Sequence, residues 1–245
     1  MKAEILKKGK GNVVEVPISL TGSALQIHIA GNHNHVFIEE GVVSRGGTVR
    51  IRGDGNLVRI GAGTRLARGD SGRVVFDIKG DANSLLVGKQ CLVGAKIRFM
   101  GDHGTIDIGA GTTSFTGAIN VRESGTISIG RDCQFAGGFW IADSDMHPIY
   151  EKTTGDRLNA GADVVIGEHV WLARQVVVLK GSHIGKGTVV GALSVVSGDI
   201  PADSMAVGIP ARVVRENIQW ERDFAELGRT MTASGQGQLR FGSIE

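Results

Sequence analysis

The sequence predicts an all-β solenoid of short strands, and three observations predict it. From Ile166 the chain reads IGEHVW, LARQVV, VLKGSH, IGKGTV, VGALSV, VSGDIP, with an aliphatic residue at every sixth position: Ile166, Leu172, Val178, Ile184, Val190 and Val196. The 245 residues include 38 Gly but only 4 Pro, which suits many tight turns between strands rather than a helical bundle. Hydrophobic residues make up 41 %, enough to bury a core, while the aromatic share is only 5 %. A period of six matches neither an α-helix nor a plain strand. It matches a coil with flat faces of about six residues, three to a turn.

Each position in the six-residue phrase then has a role. The aliphatic points inward. The residue four places on is small or β-branched (Val170, Val176, Ser182, Thr188, Ser194) and fills the narrow corner. A small residue often follows the aliphatic, where a turn favours the absence of bulk. One coil cannot bury its own aliphatics, so stacking makes the core, each buried Val, Ile or Leu contributing roughly 1.5–3 kcal/mol.

Taken along the chain, the basic start (about 1–15) is placed to cover one end of the stack, whose strand edges need a cap. The phrase then recurs with looser spacing at Ile38, Ile60, Val87, Ile108 and Ile129. The steps from Val87 to Ile108 to Ile129 are both 21, read as an 18-residue coil plus a bulge or loop of three. Cys91 and Cys133 occupy the small inward corner two coils apart, roughly 9–10 Å at ordinary strand spacing and beyond the ~7 Å that a disulfide spans. They read as small buried hydrophobes. Between Ile141 and Val165 the rhythm stops and a polar loop takes over. The β-helix is expected over residues 1–215 with this insertion at about 142–164. ENIQWERDFAELGRTM (216–231) reads as a short amphipathic C-terminal helix, followed by a loose polar tail to 245.

Composition excludes several classes. With 27 Lys and Arg against 25 Asp and Glu the net charge is +2, so nucleic acid is not an implied partner. The first residues carry no secretory signal, and no 18-residue apolar run exists to span a membrane. Two cysteines are too few for a disulfide framework, and together these features point to the cytoplasm.

DSDMHPIY (143–150), VVIGEHVWLAR (164–174) and VGIPARVVREN (207–217) resemble the hexapeptide-repeat acyltransferases, and more narrowly their sugar and polysaccharide O-acetyltransferases. The resemblance is close over about a third of the chain; upstream only the period matches. It implies a left-handed parallel β-helix, a homotrimer with active sites in the clefts between neighbouring prisms, and acetyl-CoA as donor. It also places the catalytic histidine at His147.

The residues support that chemistry independently. Acyl transfer from a thioester to a hydroxyl needs a base, and His titrates near neutrality. Of the seven histidines only His147 stands in the break of the repeat; functional residues concentrate on such loops. Asp143 and Asp145 lie close by in sequence. Either one fixes the tautomer of His147, or both only shape a turn before Pro148. No Gly-x-Ser-x-Gly elbow exists and both cysteines read as buried, so direct attack in a ternary complex is expected rather than an acyl-enzyme. Trp171 precedes inward Leu172 and so points outward; its partner is a neighbouring subunit, or a substrate in the cleft. In the enzymes it resembles, a Trp here lies near the histidine, with its backbone amide a candidate for the oxyanion. Trp140 stacks on a sugar or packs at an interface. For CoA, the family's use of small residues in the later coils implies Ala173, Gly191 and Ala192. Arg174, Lys180 and Arg212 are candidates for its phosphates, or ordinary solvated charges.

Three rival readings stand beside this one. A zinc hydratase on the same helix needs three converging histidines, and the 14 residues from His169 to His183 put them out of register on 18-residue coils, so no metal is expected. A non-enzymatic scaffold would have little use for the polar loop. An N-acyltransferase on an amino sugar, often nucleotide-linked, differs too little in sequence to separate from O-acetylation of a saccharide.

Overall fold

The computed structural model describes residues 3–17, 20–66 and 74–222. Its coils form a left-handed parallel β-helix of three faces. The first face runs through Arg65–Leu66, Leu92–Val93, Thr113–Ser114, Gln134–Phe135, Trp171–Leu172 and Val189–Val190. The second runs from Glu4–Lys8 through Thr21–Ala30, Val43–Arg52, Val74–Lys79, Lys96–Phe99, Gly117–Val121 and Phe139–Ala142 to Val177–Val178 and Val195–Val196. The third stacks nine strands from Val13–Glu15 to Asp199–Ile200. Among the described strands every pairing is parallel except the last, where Met205–Gly208 turns back antiparallel to Ala211–Arg215.

Alternation decides which side chains enter the prism. Ile97, Ile119, Ile141 and Val178 stand in register on the second face and are all buried, as are Ile106, Ile127 and Val164 on the third. Cys91 and Cys133 are buried and unlinked, with Thr112 between them; each cysteine N–H is held by the Thr Oγ1 of the coil before, Thr64 and Thr112. Burial pushes the Cys133 thiol up to about 11.

The extra length of the 21-residue coils sits at the corner between the second and third faces. Between residues in register, eleven positions separate Ile97 from Ile108, where six separate Val178 from Ile184. The wider corner is filled by a column of buried asparagines. Asn34 Oδ1 accepts the N–H of Asn56 (3.0 Å), Asn56 Oδ1 that of Asn83 (2.9 Å), and Asn83 Oδ1 that of Gly104 (2.9 Å). Their amides donate in turn to Gly53 O and Gly80 O at 2.8 and 2.9 Å. The column ends at Gly104, where a Cβ would lie 2.4 Å from Val121 Cγ1.

The C-terminal segment differs from expectation. Residues 216–222 are irregular rather than helical, because Trp220 is pinned to the prism: it stacks on His169 (4.1 Å, 12°) and its Nε1 donates to His169 O at 2.9 Å. The rest of the expected helix, 223–231, lies outside the described residues.

Candidate active site

The loop at 143–163 leaves the corner between the second and third faces, and its polar composition becomes a set of anchors. Asp143 opens it. Its side chain is fully buried and its carboxylate accepts the N–H groups of Arg122 (2.8 Å), Glu123 (3.1 Å) and Gly125 (3.2 Å). It thereby does for the coil of Gly125 what Asn83 does for the coil of Gly104. With both oxygens on backbone, Asp143 serves the turn and not the tautomer of His147.

Asn159, also buried, is the hub. Its Oδ1 accepts the N–H of Ile149 at 2.6 Å, and its Nδ2 donates to Asp145 Oδ2 and His147 O, both at 2.9 Å. Lys180, from the coil below, donates to Asn159 O (2.9 Å) and Ala160 O (3.0 Å) and pairs with Asp145 at 2.6 Å. Hydrogen bonding to Lys180 holds the Asp145 carboxyl below the usual range. A second clamp lies at Glu123, which accepts from Arg157 at 2.6 Å, from the Ser144 hydroxyl, and from Gly161 N at 3.1 Å. Arg157, ahead of Ser144, draws the Glu123 carboxyl down to about 2. Beyond the clamps the loop forms a small hairpin bridged at Tyr150 and Arg157, with Ile149, Tyr150 and Leu158 more than half exposed.

The result is an immobilised backbone carrying an exposed imidazole. His147 is tied through its carbonyl, while among the described residues no side chain hydrogen-bonds its ring. Asp145 shares the hub with His147 but spends its carboxylate on Lys180 and Asn159. Such a ring is free to take a hydroxyl proton from a bound acceptor.

Trp171 lies on the first face, half-buried, with Trp220 of the same chain against it at 5.9 Å. Beneath Trp220, His169 Nδ1 contacts Asp132 at 2.6 Å and Arg222 reaches the same carboxylate at 2.7 Å. The Trp171 N–H donates to Thr188 O at 2.9 Å in the coil ladder, which removes it as an oxyanion donor. Nor does one prism bring His147 and Trp171 together. The first projects from the corner between the second and third faces; the second points out of the first face.

The CoA candidates divide. Ala173 and Gly191 lie beside one another on successive coils, but their N–H groups are committed to Val190 O and Ala206 O, both at 2.9 Å. Ala192 and Arg174 are exposed on turns, and Arg212 is exposed beyond them with its guanidinium on Ala211 O. Lys180 is not a phosphate ligand here: its ammonium already meets three oxygens of the loop. Sequence reasoning missed Asn159, Glu123 and Arg157, whose partners come from 10 to 38 residues away and leave no local pattern.

The bacterial transferase hexapeptide family (six repeats) matches residues 163–198. The polysialic acid O-acetyltransferase of Neisseria meningitidis is 32 % identical over 217 residues, covering 88 % of either chain. That of Escherichia coli O1:K1 is 34 % identical over 121 residues, 49 % of this chain and 39 % of its own. Among solved structures, the polysialic acid O-acetyltransferase OatWY superposes with a TM-score of 0.73 at 29 % identity, over 90 % of this chain and 92 % of that one. The polySia-specific acetyltransferase NeuO gives 0.60 at 30 %, over 90 % and 89 %. The chain belongs to the hexapeptide-repeat family of sugar O-acetyltransferases.

Proposed function

We propose that the chain transfers an acetyl group from acetyl-CoA to a hydroxyl of a saccharide polymer, with His147 as general base. The observation that carries this is the His147 ring itself: exposed, without a side-chain hydrogen bond among the described residues, and held on a loop clamped by Asn159, Lys180 and Glu123. The hydroxyl gives its proton to the imidazole as its oxygen attacks the thioester carbonyl. The tetrahedral adduct collapses, the C–S bond breaks, and the imidazolium returns the proton to the departing thiolate. Neither cysteine joins in, since both are buried. Polysialic acid, the polymer in the names of its relatives, is the first acceptor to try.

The same reading makes the working enzyme a homotrimer whose clefts pair His147 of one protomer with Trp171 of the next. The support is the opposed placement of the two residues on a single prism, together with the exposed Ile149, Tyr150 and Leu158 at the loop tip, which suit contact with a neighbour. Ala192, Arg174 and Arg212 are the groups left for the CoA chain and its phosphates. A cytoplasmic location fits two buried, unlinked thiols.

Calorimetric titration with acetyl-CoA and CoA tests the reading. Saturable binding near one per chain is expected. No binding of either would overturn the transferase mechanism.

A further inference from the structure

The second face of the prism is charged in a way the other faces are not. Its outward positions in the coils before the loop carry Arg50, Arg52, Lys79, Lys96 and Arg98 on neighbouring strands, with Arg122 just past the end of the next. Arg50, Asp77 and Arg98 share one row. Arg52 and Lys79 share the next; just past the strand ends, Arg122 Nη1 donates to Met100 O at 3.0 Å. The acidic residues on this face are already engaged: Asp77 is paired with Arg52, and Glu4 accepts from Gln26 Nε2 at 3.1 Å. On the third face, by contrast, Arg59 is the one Lys or Arg in the described strands, and it is paired with Glu39.

Position gives the charge a direction. With strands roughly 4.8 Å apart, the path from Arg52 to Arg122 crosses three steps, about 14 Å. It ends at Arg122, whose N–H is held by Asp143 at the root of the His147 loop. Trp140 stands on this same face, next to Ala118 and Val177. At the far end a cleft of about 280 Å³ is lined by Leu6, Lys8, His28, Ala30, Arg50 and Arg52. His28 Nε2 is buried there without a hydrogen-bond partner.

We infer that this face is a binding track for an extended acidic polysaccharide, which runs from the Lys8–His28–Arg50 cleft to Trp140 and feeds the His147 loop. The inference deepens the saccharide-acceptor reading above and rests on it. A two-fold contact through this face would set cation against cation. A flexible polymer with one carboxylate per sugar suits it, because several weak exposed contacts add along the chain. Trp140 offers a flat apolar surface where the polymer nears the loop.

The test is equilibrium binding of polysialic acid to the full chain, with dextran as neutral polymer and a single-stranded oligonucleotide as unrelated polyanion. Wild type is expected to bind polysialic acid with an affinity that falls as salt rises, and to ignore dextran. Arg50→Gln/Lys79→Gln/Arg98→Gln should bind at least about tenfold more weakly, with a shallower salt dependence. The charge-keeping Arg50→Lys/Lys79→Arg/Arg98→Lys should stay close to wild type. Failure of wild type to bind, equal binding by the Gln variant, or tighter binding of the oligonucleotide would each overturn the track. His147→Ala separates the two readings, because it should bind polymer normally whatever happens to transfer. Charge-dependent binding without transfer to any acceptor would leave the track standing and sink the proposed reaction. Transfer with unaltered binding in the Gln variant would sink the track alone.

Discussion

The coils before the loop and those after it are built on the same prism but close their corners differently. Before it, the Asn34–Asn56–Asn83 column fills a wide corner and stitches each coil to the next through side-chain amides. After it, Trp171 pairs with Val189 and Val177 with Val195, a step of 18, and small hydroxyls fill the corners: Ser182, Thr188, Ser194 and Ser204 are buried. A tight corner leaves no room for insertions, whereas a wide one lets the chain leave the prism at the same place in every coil. The His147 loop departs from that wide corner, with Asp143 standing where the asparagine column would next have a rung.

If the loop depends on its anchors rather than on its own sequence, removing one from the lower coil should be costly. Lys180→Met strips Asp145, Asn159 and Ala160 of a shared donor and is expected to lower kcat about 100-fold, since small misplacements of a catalytic group carry that cost. Its KM for acetyl-CoA should change little. A kcat within twofold of wild type would mean the loop holds itself.

Denaturant unfolding compares the two kinds of corner directly. Asn56→Ala leaves the N–H of Asn83 and the carbonyl of Gly80 unpaired in the interior and should cost about 2–4 kcal/mol. Ser194→Ala loses one bond, from Gly208 N at 3.0 Å, and should cost about 1 kcal/mol. Equal costs would remove the distinction.

A smaller effect follows pH. The Glu123 carboxyl sits at about 2 in the fold against an ordinary 4.5. A depressed carboxylate adds stability above its unfolded value, lost as pH falls through its folded one. The stability gap between wild type and Glu123→Gln should therefore be full above about pH 5 and shrink as pH falls from 4.5 toward 2. A gap that does not change over this range would contradict the clamp.

This division also explains what the sequence reveals. The six-residue period is plain from Ile166 to Val196 because nothing interrupts it; upstream, the same inward aliphatics are spaced by the wide corner and the phrase blurs. Yet the column is present in the letters, as GN, HN, GN and AN at 11–12, 33–34, 55–56 and 82–83, a second repeat out of phase with the hexapeptides. His147 was legible as the histidine in the break. Its neighbours were legible only in part: Asp143 reads equally as a partner of His147 or a turn former and caps a turn, Lys180 reads as a phosphate ligand or a solvated charge and ties down the loop, and the Trp171 amide, an oxyanion candidate by resemblance, lies in a ladder. Each of those roles is set by what the adjacent coil presents, which linear spacing does not record. Likewise, 216–222 had a helical pattern, but stacking of Trp220 on His169 outweighs local preference.

The most direct test is the rate of acetyl transfer from acetyl-CoA to polysialic acid by wild type and His147→Ala, with acetyl-CoA binding measured on both. The account predicts a fall in turnover of roughly two to four orders of magnitude with donor binding retained. Near-normal turnover in the variant would contradict it and require a different base.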